Sequence, residues 1–178
     1  HPHVGALDVA PVVYLDDASD DGCDEHLPPP GPHVRRLRNP RRRGLACNTH
    51  RLVLDHTEPD DVVVCLDGDD RLARPDALTR INDYYNRHDC WVMYGQFQTS
   101  NGSYGSSRPF ADRDAFAAMR TRFGSSHVRT YRAGLFHRIA DQDPEFSCLR
   151  DDNGEWLRQA MDMAVMYPLM EMAGFDRV

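Results

Sequence analysis

The sequence predicts an α/β fold, an open, mostly parallel twisted sheet flanked by helices, and three observations carry that expectation. Strand-like and helix-like segments alternate along the chain. The strongest strand, Asp61 to Leu66 (DVVVCL), holds five consecutive apolar residues without alternation, the pattern of a strand covered on both faces. The length, 178 residues, suits one domain of ordinary size and crowds two, so residues 1–178 are expected to form a single domain.

Each element follows from its own residues. Pro11 to Leu15 (PVVYL) reads as a buried strand that opens into the polar loop DDASDDG. The cluster Pro28 to Pro32 (PPPGP) cannot be helix interior and separates this unit from the next. His33 to Asn39 is a second strand, and Gly44 to His56 places Leu45, Asn48, Leu52 and His56 at helical spacing. After the 61–66 strand, Pro75 stands where a helix begins, and Leu78, Ile81, Tyr84 and Tyr85 draw an apolar stripe toward Arg87. Trp91 to Phe97 (WVMYGQF) is a further strand, followed by a Ser- and Gly-rich loop from Gln98 to Pro109 of the kind that carries function. A short helix over Phe110 to Met119, a strand over His127 to Tyr131 and a brief helix over Ala133 to Ile139 come next. Glu155 to Met166 has helical spacing in Leu157, Met161, Ala164 and Val165, and Pro168 is expected to kink or end that helix before a last turn capped by Gly174. Met161, Met163, Met166, Met170 and Met172 are expected to fill the core. There is no internal repeat.

Composition narrows the function classes. The chain is 40% hydrophobic and 28% charged, which allows a globular enzyme and not a disordered chain. Its net charge of -7 disfavours a nucleic-acid binder that neutralises many phosphates at once. No run approaches the roughly 20 apolar residues of a membrane span, and the start lacks the basic-then-apolar layout of a signal peptide. Five cysteines without a CxxC pair argue against a disulfide framework and a structural zinc site. Free thiols in a reducing, cytoplasmic compartment are the expectation. The chain opens His1-Pro2-His3 with no initiator Met, so an N-terminal part is expected to be missing. All 21 basic residues are arginines, which removes lysine-based Schiff-base chemistry. Arg35, Arg36, Arg38, Arg41, Arg42 and Arg43 form a basic segment that is either a solvated loop or a site for one small phosphorylated ligand. Arg43 is the candidate phosphate contact, because it abuts Gly44 and the following helix start.

Two strands end in acidic clusters, Asp16-Asp17 and Asp67-Gly68-Asp69-Asp70, and in open parallel sheets ligands bind outside the carboxyl ends of the strands. Two carboxylates about 5 Å apart repel by roughly 3 kcal/mol at an effective dielectric near 20, so such a group is stable with a cation or an arginine among them. Aspartate oxygens suit Mg²⁺ or Mn²⁺, which keep positions open for substrate phosphates. The alternative is a solvated acidic turn.

At this point the ordered motifs resemble the family 2 glycosyltransferases with the GT-A fold. VVYLDDASDDG is similar to that family's DDxSxDG strand end, NPRRRGLACN to its N-x-x-x-x-G segment ending in Asn, and VVVCLDGDD to its DxD strand end. The resemblance implies an inverting transfer of sugar from a nucleoside-diphosphate sugar, a UDP-sugar foremost, to a hydroxyl of a carbohydrate or glycoconjugate acceptor. It implies Asp16, Asp17 and Asn48 beside the nucleotide, Asp67 on the ribose or sugar and in the cation site, and Asp69 on an Mn²⁺ or Mg²⁺ ion at the diphosphate, with Asp70 as a neighbour. Asp162, in RQAMDMAVM, resembles the acidic residue of the family's late helix that takes the acceptor proton. His127 either ligates the metal, lines the acceptor site or is structural, and the loop region 98–126 is expected to read the acceptor. Against the family's GT-A pattern the first strand is expected to be missing, residues 1–10 being the remnant of a missing N-terminal unit, and pairing with a second copy as a homo-oligomer would fill its place.

Two rival classes share some of these features. A haloacid dehalogenase-type phosphatase also begins with a buried strand ending in D-x-D, but Arg71 stands where that family has Thr or Val, and the chain lacks its phosphate-binding lysine. A truncated or degenerate nucleotide-sugar-binding domain without catalysis is the alternative from outside enzymology.

Overall fold

The runs VVYLD and VRRLR pair side by side. Val12–Asp16 (β1) and Val34–Arg38 (β2) run parallel, from Val12 opposite Val34 to Asp16 opposite Arg38. The computed structural model describes residues 10–121 and 124–178; the expected remnant at 1–10, apart from Ala10, lies outside the described residues. The chain continues through Leu45–His56 (α1), Val62–Cys65 (β3), Ala77–Arg87 (α2), Val92–Gly95 (β4), Arg113–Ala117 (α3), Ser126–Arg132 (β5), Ala133–Gln142 (α4) and Met161–Ala173 (α5).

The expected mostly parallel sheet is corrected here. β5 lies between β3 and β4 and is antiparallel to both, while β1 and β2 form a separate two-stranded sheet. The reason lies in what an unbroken apolar run means. Val63 and Cys65 pack against the large core that α1, α4 and α5 share, and Val62 and Val64 pack against Ile81, Tyr85 and Cys90 on the opposite side. Helical cover on both faces makes every strand residue apolar whichever way its neighbour runs, so the pattern reports cover and not direction.

Alternation on β5 then sorts its side chains. Tyr131 is fully buried in the large core, and Thr130 turns the other way, its hydroxyl 3.0 Å from that of Tyr85. Arg129 shares the Tyr131 face and is only 5% exposed.

The last helix differs from expectation at its start and at its proline. Residues ahead of Met161 are not helical, because Trp156 docks by its ring, 5.1 Å from His50 and under the Arg150 guanidinium at 4.1 Å, and bridges back to Arg150. Pro168 sits inside α5 without ending it. A proline forfeits one hydrogen bond in a helix, and here Val165 and Met166 before it and Leu169, Met170 and Ala173 after it are buried and hold the helix to the core. Gly174 closes α5 as expected, at φ +75° with its N–H on the Met170 carbonyl at 2.9 Å. Met161, Met166 and Met170 are buried, and Met163 and Met172 pack against them, so the methionines fill the core. Among the described residues no helix is long and apolar enough to cross a membrane.

Candidate active site

The first acidic strand end is a structural hub. Asp17 accepts the backbone N–H groups of Arg43 at 2.9 Å and Gly44 at 2.8 Å, and the Asn39 side chain at 2.7 Å. An anionic side chain at the start of α1 satisfies N–H groups that the helix cannot and meets the positive end of its dipole. Burial pushes the Asp17 carboxyl upward, but the bonds from Asn39, Arg43 and Gly44 outweigh it and hold it below the ordinary value of 3.8. Gly44 adopts φ +83° at this junction, a conformation that a side chain would strain. Asn39 also donates to Asn48, and Arg51 donates to Asn39, each over 2.8 Å. Asn48 is therefore buried in this network, while the Arg43 side chain remains exposed beside it. Asp16 sits next to the hub, paired with Arg38 and accepting the Ser19 N–H, which lowers its carboxyl.

The second acidic strand end closes a tight turn. The Asp70 N–H bonds the Asp67 carbonyl at 3.0 Å, which brings the first and fourth residues together and leaves the third at the tip. Asp70 therefore lies with Asp67, whereas Asp69, the residue the resemblance gives to the cation, is exposed at the apex. His127, from the start of β5, completes the group. Its Nε2 is 2.9 Å from Asp67 Oδ2 and 3.9 Å from Asp70 Oδ2, and one donor atom from each of the three residues falls within 4.8 Å of the others. Ser126 Oγ lies 3.1 Å from His127 Nδ1, and the Phe97 ring meets the imidazole edge-on at 5.8 Å. Two carboxylates and an imidazole are a donor set that fits Mn²⁺, and Mg²⁺ less well because of the nitrogen.

A cleft opens beside this turn, lined by Thr49 of α1, Cys65 and Asp67 at the end of β3, Arg129 of β5 and Asp162 and Val165 of α5. Because α5 starts at Met161, Asp162 stands in its first turn, where a carboxylate is favoured by the helix dipole. A helix from residue 155 would have offered Arg158 as its partner one turn earlier. Its partner is instead Arg129, whose Nη1 is 2.6 Å from Asp162 Oδ2. The other end of the same guanidinium donates to Asp67 Oδ2 at 3.1 Å.

The family model described as glycosyl transferase family 2 matches residues 9–143. The chain belongs to glycosyl transferase family 2. No curated protein and no solved structure matches it. The phosphatase reading of the D-x-D turn falls with that membership. In this family 2 chain the Asp17 hub, the 67–70 turn, His127 and Arg129 all lie inside the matched residues, and Asp162 lies beyond them.

Sequence reasoning missed Arg129 in this family 2 site. Its signal was present: in HVRTYR an arginine alternates onto the same face as Tyr131 of the expected strand, and a charge on a covered face needs a partner. Asn39 was quoted only as the start of a motif, although a buried amide with three polar neighbours is what couples β2 to α1.

Proposed function

We propose that this family 2 chain is an inverting glycosyltransferase acting on a nucleoside-diphosphate sugar, with UDP the first nucleotide to test, and on a hydroxyl of a carbohydrate or glycoconjugate acceptor. The observation that carries the reading is the Arg129 clamp, which brings the strand-end Asp67 and the helix-start Asp162 to one cleft.

Asp162 acts as general base. The acceptor oxygen attacks the anomeric carbon from the side opposite the diphosphate, its proton passes to the Asp162 carboxylate, and the bond from the anomeric carbon to the leaving oxygen breaks with its electron pair going to the β-phosphate. Asp162 is suited to this task because its side chain is about a third exposed, 37%, and faces the cleft. Asp67, Asp70 and His127 would hold Mn²⁺ or Mg²⁺, which when bound offsets the charge that develops on the leaving diphosphate. The Arg43 side chain, displayed at the start of α1 by the bonds that Asp17 makes to the backbone there, reaches the diphosphate. Asp16, Asp17 and Asn48 shape the nucleotide edge from behind rather than through open side chains. Phe97 borders His127, and the loop after it, with Tyr104 exposed at 73%, forms the acceptor side.

The test is a transfer assay with UDP-sugars, Mn²⁺ and a panel of simple glycoside acceptors, with the anomeric configuration of the product read by NMR. Transfer with inversion supports the reading. A retained configuration removes Asp162 as base, and nucleotide-sugar binding without any transfer or donor hydrolysis favours the non-catalytic binding domain.

A further inference from the structure

We infer that Arg129 is a positioning residue that ties cation loading at Asp67 to the aim of Asp162, an inference that rests on the reading of Asp162 as the base. Arg129 rises from the middle strand of its sheet with a side chain 6% exposed. Its planar fork serves two carboxylates on different elements, Asp67 after β3 and Asp162 at the start of α5. A rigid guanidinium can do that only when the two acids keep a set separation.

The two contacts are unlike. Nη2 makes a hydrogen bond to Asp67, whereas Nη1 approaches Asp162 to 2.6 Å as an ion pair without an aligned N–H. Asp162 is drawn to Arg129 by charge.

The bond to Asp67 has a further consequence. Asp67 Oδ2 receives both Arg129 and His127, so a cation taken up by Asp67, Asp70 and His127 shares the Asp67 carboxylate with Arg129. Like charges across a shared carboxylate repel. Arg129 therefore weakens binding of a cation alone, and the negative diphosphate of a donor relieves that repulsion. Cation and donor load together, and Arg129, released in part from Asp67, keeps hold of Asp162.

The test compares wild type with Arg129→Met and Arg129→Lys, using calorimetry with Mn²⁺ alone and with Mn²⁺ plus UDP, and initial rates of transfer. Arg129→Met should bind Mn²⁺ alone about tenfold tighter, lose most of the enhancement that UDP confers, and show kcat lowered about tenfold or more, with donor KM at saturating Mn²⁺ raised in step with the lost enhancement. Arg129→Lys keeps the charge but cannot span both acids, so its Mn²⁺ affinity should stay near wild type while kcat still falls. Should Arg129→Met fail to fold, side-chain NMR of arginine in wild type during an Mg²⁺ titration replaces it, and the Arg129 guanidinium signal should shift as the site fills. A folded Arg129→Met protein with wild-type Mn²⁺ affinity, or an Arg129 signal unmoved while Mg²⁺ binds, overturns the inference and leaves the transferase reading standing. Wild type that binds Mn²⁺ with the expected Arg129 dependence yet transfers no sugar overturns the transferase reading and with it the aim of Asp162, leaving only the coupling of Arg129 to cation loading. No binding of Mn²⁺ with or without UDP overturns the metal reading and this inference together.

Discussion

Asn39 donates its side-chain amide to Asn48 over 2.8 Å, and this bond joins the end of β2 to helix α1 where both residues are almost sealed from water. The same nitrogen reaches Asp17 at 2.7 Å, and the Asn39 oxygen receives Arg51. Asn39→Ala removes all three contacts and leaves buried groups unpaired, which should cost about 2 to 3 kcal/mol of stability. Urea denaturation of the variant against wild type checks this, with an unchanged midpoint counting against the hub.

The hub also sets an acid limit. Because hydrogen bonds hold the Asp17 carboxyl below 3.8 in the folded chain, its contribution to stability is fully present above that value and is lost as pH falls through the lower, folded-state value. Asp17→Asn should be less stable than wild type at neutral pH, and the gap should narrow as the solution is acidified below about pH 4. Thermal melts across that range measure the gap; a gap constant with pH would mean the charge is not what matters.

Turn geometry predicts an unequal response of Asp69 and Asp70. Asp70→Asn and His127→Ala should each weaken Mn²⁺ binding by about tenfold or more, since each removes a donor atom from the group. Asp69→Asn, altering an exposed residue at the apex, should change it by less than about threefold. Calorimetry in the presence of UDP decides, and a larger loss from Asp69→Asn than from Asp70→Asn would restore the D-x-D assignment.

Asp162→Asn separates chemistry from binding. If Asp162 takes the acceptor proton, transfer should fall by roughly 10² to 10⁴-fold while UDP and Mn²⁺ binding stay near wild type. Parallel loss of binding and turnover would mark Asp162 as an anchor for Arg129 and not a base.

Much of this chain was legible in one dimension. The apolar runs at 11–15, 61–66 and 91–97 became strands, the stripes at 44–56 and 75–87 became helices, and Gly174 capped α5, because period and capping are local properties of the chain. Asp162 was singled out by its resemblance to the acidic residue of the family's late helix, and His127 as a residue that ligates metal, lines the acceptor site or is structural. The start of α5 could not be placed, because Trp156 is withdrawn from a helical pattern by a ring contact with His50, a hundred residues away in the chain.

By itself the sequence determined the kinds of element, the order of the acidic strand ends and the family they mark. Tertiary structure alone decided the direction of the strands, the choice of Asp70 over Asp69 beside His127, and the pairing of Asp162 with Arg129 rather than Arg158. The physical reason is the same in each case. Patterns along a chain report which faces are covered, whereas a charge finds its partner by distance in space, and that distance exists only once β5 has inserted between β3 and β4 and α5 has closed over them.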